Sequence, residues 1–213
     1  MRQTAIAFKS GKLTLEGVLS TPQELSGPFP ALVVCHPLPI LGGDMDNPVV
    51  TAVCRRADRD AIATLRFNFR GVGDSEGEFD SGVAEQEDVK AALDVVRRWP
   101  GINGKMLAIA GYSFGASVIA RGLKRYKHAR SLVFIAPPVA AVANSAITKD
   151  PRPKLFVAGQ HDRIAVPIQL QRALDNTRGP VQFAEITGAG HSLSGHEQDV
   201  ADRVVEFVTD ALS

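Results

Sequence analysis

The pattern Gly-x-Ser-x-Gly occurs twice in this chain of 213 residues, as Gly73-Asp74-Ser75-Glu76-Gly77 and as Gly111-Tyr112-Ser113-Phe114-Gly115. A serine so placed becomes a nucleophile when it occupies a strained turn between a strand and a helix. The turn lifts its hydroxyl over the sheet edge, and the flanking glycines let backbone approach without Cβ clashes. Met106 to Ala110 reads as a buried strand and Ala116 to Ala120 as the start of a helix, so Ser113 meets both conditions. Ser75 meets neither. A polar, Gly-containing stretch, Glu76 to Gly82, follows it, and Arg70 to Gly77 reads as a structured loop in which Asp74 and Ser75 cap local backbone groups.

A serine hydroxyl near pH 7 needs a base to take its proton, and the base needs a carboxylate to orient it. In the chain order Ser, then Asp or Glu, then His, the candidates are Asp162 and His191. Asp162 follows the apolar run Leu155 to Ala158, and His191 follows the run Val181 to Ile186. Both are thereby expected in loops at the C-terminal edge of parallel strands, where the functional groups of such sheets gather. Asp162 is also suited to capping the helix expected near Val166. His161, His196 and Asp150 are rivals with poorer placement: His161 precedes the acid, His196 lies toward the last helix, and Asp150 follows no strand. A developing oxyanion needs two backbone N–H donors. Phe114, next after Ser113, is one. The other should come from His36-Pro37-Leu38-Pro39, where the prolines carry no N–H; Leu38 is favoured over His36, which is assigned a structural role.

Strands are expected at Thr4 to Phe8, Leu13 to Leu19, Ala31 to Cys35, Ala61 to Phe69, Met106 to Ala110, Ser131 to Ile135, Lys154 to Ala158 and Val181 to Ile186. The first two form a hairpin about Lys9-Ser10-Gly11-Lys12. Helices are expected at Val49 to Arg59, Glu85 to Arg98, Ser113 to Tyr126, Ile168 to Asn176 and Gln198 to Leu212. In the last, Val200, Val204, Val208 and Leu212 recur at helical spacing and read as core. Strands alternating with helices imply crossover connections and a mainly parallel sheet. No linker divides the chain, so one domain spanning 1–213 is expected.

Composition narrows the partners. The chain is 45% hydrophobic and 22% charged, enough apolar residues for a large core. With 24 Lys and Arg against 23 Asp and Glu, the net charge of +1 offers no electrostatic pull toward nucleic acid or an anionic membrane. Cys35 and Cys54 are too few for a disulfide framework and lack zinc-site spacing; Cys35, inside a strand, reads as a small buried apolar residue. No charged-then-apolar leader opens the chain and no apolar run nears the roughly 20 residues of a membrane span, so a cytoplasmic location is expected.

Taken together, Cys35-His36-Pro37-Leu38-Pro39, Gly42-Gly43-Asp44-Met45-Asp46-Asn47, Phe67 to Ser75, Gly111 to Gly115 and the loops of Asp162 and His191 resemble the α/β-hydrolase superfamily along essentially the whole chain. The likeness is greatest to its small, lidless members related to dienelactone hydrolases. It implies an α/β fold with a mostly parallel eight-stranded sheet whose second strand is antiparallel, a Ser113–His191–Asp162 triad, and no metal or organic cofactor. Dienelactone hydrolases proper use cysteine where this chain has Ser113, so their activity is not carried over. Relatives often read His-Pro-His-Pro where Leu38 occupies the middle here.

Only Val139 to Pro153 separates two of the expected strands, leaving little room for a lid. The cleft should be open and walled by the stretch Leu38 to Met45, by Phe79 and by Val139 to Ile147, with His36, Leu41, Met45, Phe79 and Val139 the candidate contacts. Such a cleft suits small or medium acyl groups. The expected activity is serine-dependent hydrolysis of a small-molecule carboxylic ester. A thioester is the nearest alternative; a non-catalytic binding protein is another, although such proteins usually lack a member of the triad.

Overall fold

The structure, a computed structural model, describes residues 2–22, 27–143 and 145–213. Eight strands form one sheet: β1 (Arg2–Ser10), β2 (Leu13–Thr21), β3 (Phe29–Cys35), β4 (Ala63–Phe67), β5 (Ile102–Tyr112), β6 (Ala129–Ile135), β7 (Lys154–Gly159) and β8 (Val181–Ile186). Their spatial order is β1-β2-β4-β3-β5-β6-β7-β8. β2 is antiparallel to both neighbours, and every pair from β4 to β8 is parallel. The hairpin turn is tighter than the four residues expected: Ser10 pairs with Leu13, leaving only Gly11 and Lys12 outside the ladder. Gly11 takes φ +60°, as such two-residue turns require.

Helices α1 (Pro48–Arg59) and α6 (Glu197–Leu212) cover one face of the sheet. α2 (Glu85–Arg98) and α3 (Phe114–Gly122) cover the other, with the short α4 (Val139–Ala143) and α5 (Pro167–Ala173) beside them. Covered on both faces, the central strands are apolar throughout: Leu32, Val33, Leu65, Ile109, Val133 and Phe156 are fully buried. The helix ends follow from local chemistry. Asn47 caps α1 by accepting the Val49 N–H at 3.0 Å, with Pro48 in the first turn. α2 carries Glu85, Glu87 and Asp88 in its first turn and Arg97 and Arg98 in its last, complementing the helix dipole.

Several boundaries differ from the sequence expectation. β4 is shorter than Ala61 to Phe69, because Ala61 sits in a left-handed turn at φ +57°. α3 stops at Gly122 rather than Tyr126 and tightens into a 3₁₀ turn, Leu123–Arg125. The Tyr126 ring folds back into the space that a Cβ on residue 122 would need. α5 ends at Ala173 rather than Asn176. Neither α4 nor the 3₁₀ turn Pro39–Leu41 was expected; each is too short to carry a periodic pattern. Between β6 and β7 the described residues form only α4 and a further 3₁₀ turn, Ile147–Lys149, which is a minimal cap at most.

Candidate active site

β5 ends at Tyr112 and α3 begins at Phe114, leaving Ser113 alone at the turn with φ +50° and ψ −101°. A non-glycine residue rarely holds this conformation, and here the surroundings enforce it. The Ser113 N–H donates to the Ile135 carbonyl at 2.8 Å, and the Ser113 carbonyl accepts from Ser117 N–H at 3.1 Å. Glycine is required on both sides by close approach. A Cβ on residue 115 would stand 2.6 Å from the Cys35 carbonyl oxygen, and one on residue 111 would stand 2.5 Å from the Ala116 nitrogen. Both glycines of the motif therefore let α3 pack directly onto β3 and β5.

The other two side chains arrive from the same sheet edge. Asp162 follows β7 and His191 follows β8. Ser113 Oγ lies 3.0 Å from His191 Nε2, and His191 Nδ1 lies 2.8 Å from Asp162 Oδ2. Asp162 is 4% exposed, and its second oxygen accepts from the Ile164 and Ala165 amides at 2.8 and 2.7 Å. One carboxylate thus closes the turn before α5 and holds the imidazole. Burial alone would raise the Asp162 pKa, but the hydrogen bonds from His191, Ala165 and Ile164 and the imidazole's charge outweigh it and hold the carboxylate below its ordinary value. Tyr112, unmarked in the sequence except as the variable residue of the motif, donates its hydroxyl to the His191 carbonyl at 3.0 Å and ties that loop to the end of β5.

Leu38 and Phe114 both border the cleft above Ser113. Phe114 opens α3, so its N–H is among the helix's unpaired amides. The Leu38 carbonyl accepts from Leu41 and Gly43 N–H at 3.2 and 3.0 Å, fixing its peptide. Its own N–H enters no hydrogen bond among the described residues.

His36 lies under this loop rather than in the cleft. It is fully buried, with Nδ1 2.7 Å from the Pro37 carbonyl and Nε2 3.1 Å from the Phe69 N–H. Burial pushes its pKa down to about 4, against smaller upward effects from the Pro37 carbonyl and Asp44. The neutral ring therefore donates from Nδ1 to Pro37 and accepts at Nε2 from Phe69. It also meets Phe69 edge-on at 4.8 Å, and Phe69 meets Phe114 at 5.6 Å, so an aromatic column supports both amide-bearing residues from below.

The cleft encloses about 580 Å³, and its walls include Leu38, Leu41, Asn47, Phe114, Pro138 and Ile164. Of the expected contacts, only Leu41 stands there, 82% exposed at the rim. Phe79 instead packs against the Phe114 ring at 5.3 Å, and Met45 is turned into a loop held by Asn68, whose Oδ1 accepts the Met45 N–H at 2.8 Å. Val139 opens α4 with its N–H on the Ile164 carbonyl at 3.3 Å, one residue beyond the wall formed by Pro138. Ile164 and Pro138 carry no chemistry of their own that would have marked them in the sequence, and Asn47 is engaged there as the cap of α1.

The rival residues have other engagements. Ser75, 6% exposed, donates to the Asn68 carbonyl at 2.8 Å and accepts the Glu16 N–H at 3.1 Å. His196 faces Asp199 at 3.3 Å, and Asp150 chelates Arg152. Cys35 and Cys54 are buried free thiols. Among the described residues no group of His, Cys, Asp and Glu is arranged to hold a metal ion, and no helix is long and apolar enough to cross a membrane.

Comparison with known proteins agrees with this architecture. The chain matches no protein-family profile. It is 32% identical to an α/β serine hydrolase homologue from Coxiella burnetii, with 97% of each chain covered and a TM-score of 0.81. It is 29% identical to an α/β serine hydrolase without a lid from Xanthomonas campestris, covering 99% of this chain and 95% of that one at a TM-score of 0.84. An uncharacterised protein of Rickettsia prowazekii is 35% identical over 187 residues, 84% of this chain and 78% of that one. The chain belongs to the α/β serine hydrolases.

Proposed function

We propose that the protein hydrolyses carboxylic esters of small to medium acyl groups through an acyl-enzyme on Ser113. The observation that carries this reading is the unbroken chain Ser113 Oγ–His191–Asp162 at 3.0 and 2.8 Å beneath an open, mostly apolar cleft. His191 Nε2 takes the hydroxyl proton as Oγ attacks the carbonyl carbon, and the Leu38 and Phe114 amides bind the oxyanion. As the carbonyl re-forms, the ester C–O bond breaks and the departing alkoxide takes the proton from His191. Water then attacks the acyl-serine, giving up a proton to His191; the Ser113 Oγ–acyl bond breaks, Oγ recovers that proton, and the carboxylic acid leaves. Asp162 keeps Nδ1 protonated throughout, so Nε2 is free to accept.

The cleft volume and the minimal structure between β6 and β7 support a small or medium acyl group. Thioesters fit the same chemistry. The test is hydrolysis of p-nitrophenyl esters of graded chain length beside the matching thioesters. Turnover best at short or medium chains and lost in Ser113→Ala supports the reading; turnover equal in the two proteins overturns it.

A further inference from the structure

The cleft over Ser113 continues beyond its own rim. Ser117 and Pro138, which border it, also border a larger groove of about 950 Å³ between α3 and α4. Lys124 and Arg125, on the wall of that groove, belong in turn to a third hollow on the same side of the molecule. Along α3 the positions 113, 117 and 121 recur every fourth residue on one face, so the helix rise sets the Arg121 backbone about 12 Å from the serine, with Lys124 farther on in the 3₁₀ turn that follows the helix.

The character of the surface changes along this track. No carboxylate lines the groove among the described residues. Arg125 is paired with Glu87, but Arg121 donates only to the neutral Ser81 carbonyl at 2.7 Å, and Lys124 makes no hydrogen bond or ion pair among the described residues. The hollow beyond adds Lys90, Arg97, Arg98 and Lys127 against the single carboxylate of Asp94. Lys90 and Arg97 share Asp94 at 3.0 and 3.7 Å, so among the described residues Arg121, Lys124, Arg98 and Lys127 are the cations here without a carboxylate partner, leading away from an apolar reaction site in a chain whose net charge is only +1.

We infer that the track receives an anionic end group, a phosphate or a carboxylate, carried on the leaving half of the substrate, about 12 Å or more along α3 from Ser113. This rests on the hydrolase reading above. The apolar cleft suits the acyl half, which stays on Ser113, and the open, cationic groove suits the half that must depart. The preferred class is a short-chain acyl ester or thioester with a long anionic alcohol or thiol.

The test compares three butyryl thioesters with the same reacting group: S-butyryl-coenzyme A (phosphate tail), S-butyrylglutathione (carboxylate tail) and the neutral S-butyryl-N-acetylcysteamine. At low salt, at least one anionic thioester should exceed the neutral one about tenfold in kcat/KM. High salt should erase the ratio, and so should Lys124→Glu alone or combined with Arg121→Gln. A preference for the first assigns the track to phosphate, and for the second to carboxylate. Ratios within about twofold for all three, or ratios indifferent to Lys124→Glu, overturn the inference while leaving hydrolysis intact. Calorimetric binding of the two anionic thioesters to Ser113→Ala reads the groove without turnover. Binding that weakens in Lys124→Glu upholds the inference even if the wild type turns over nothing, and absence of binding rejects it.

Discussion

Ser113, Asp162 and His36 make different demands on the same few ångströms, and each can be tested separately. If Asp162 holds the His191 tautomer, Asp162→Asn should lower kcat about 10⁴-fold, with KM much less affected. Steady-state kinetics checks this, and a loss of less than tenfold would deny Asp162 that role. His36 acts without touching substrate: its ring clamps the Pro37 carbonyl and the Phe69 amide in a fully buried position. A pKa of about 4 in the folded protein against about 6.5 when unfolded means that the unfolded chain binds the extra proton first. Stability should therefore be full above pH 6.5 and decline as pH falls toward 4, by on the order of 3 kcal/mol from this residue. The depressed Asp162 carboxylate acts in the same direction at lower pH, since its stabilisation is lost as it protonates. Urea denaturation from pH 7 to pH 4 measures the slope. His36→Gln, which cannot titrate there, should flatten it even if it lowers stability everywhere, and an unchanged slope would place the effect in other groups.

At the scale of elements, the site depends on how closely α3 sits on β3 and β5. A Cβ at residue 115 would press on the Cys35 carbonyl at 2.6 Å, backbone that cannot yield without moving β3. Gly115→Ala should cost about 1–3 kcal/mol and, by shifting Phe114 and Ser113, reduce kcat more than it reduces stability. Thermal denaturation and kinetics on the same preparation separate the two effects, and normal kinetics with normal stability would contradict the packing account. The loop after β4 is anchored by Asp88, whose carboxylate takes two bonds from the Arg70 guanidinium at 2.9 and 2.7 Å and a third from Ser10 at 2.6 Å. Removing a fully buried partner strands the others, so Asp88→Ala should destabilise by about 3–5 kcal/mol in denaturant unfolding; a loss under 1 kcal/mol would mean that the network relaxes freely.

Across the whole molecule, what could be read from the sequence was what repeats or what does chemistry. Strands buried on both faces announce themselves as apolar runs, and Gly111 to Gly115 announces a turn because only that spacing allows the backbone contacts observed around Ser113. The cleft walls were harder. Phe79 and Met45 are apolar residues in loops, and nothing local says whether such a side chain faces a ligand or, as Phe79 does, braces Phe114. Likewise α4 is a single turn and a half whose existence depends on tertiary contacts with α3 and α5. The groove past Ser117 was invisible for a related reason: Arg121 and Lys124 look like an ordinary solvated helix end until the fold places them on the groove that Ser117 borders.

The central claim is that Ser113 is a nucleophile activated by its neighbours, and covalent trapping addresses it most directly. The folded protein, treated with a fluorophosphonate and digested for mass spectrometry, should carry one phosphonyl adduct, on the peptide containing Ser113, with none in Ser113→Ala and little in a His191→Ala variant. Folded wild-type protein that stays unmodified, or an adduct found on Ser75 instead, would contradict the account.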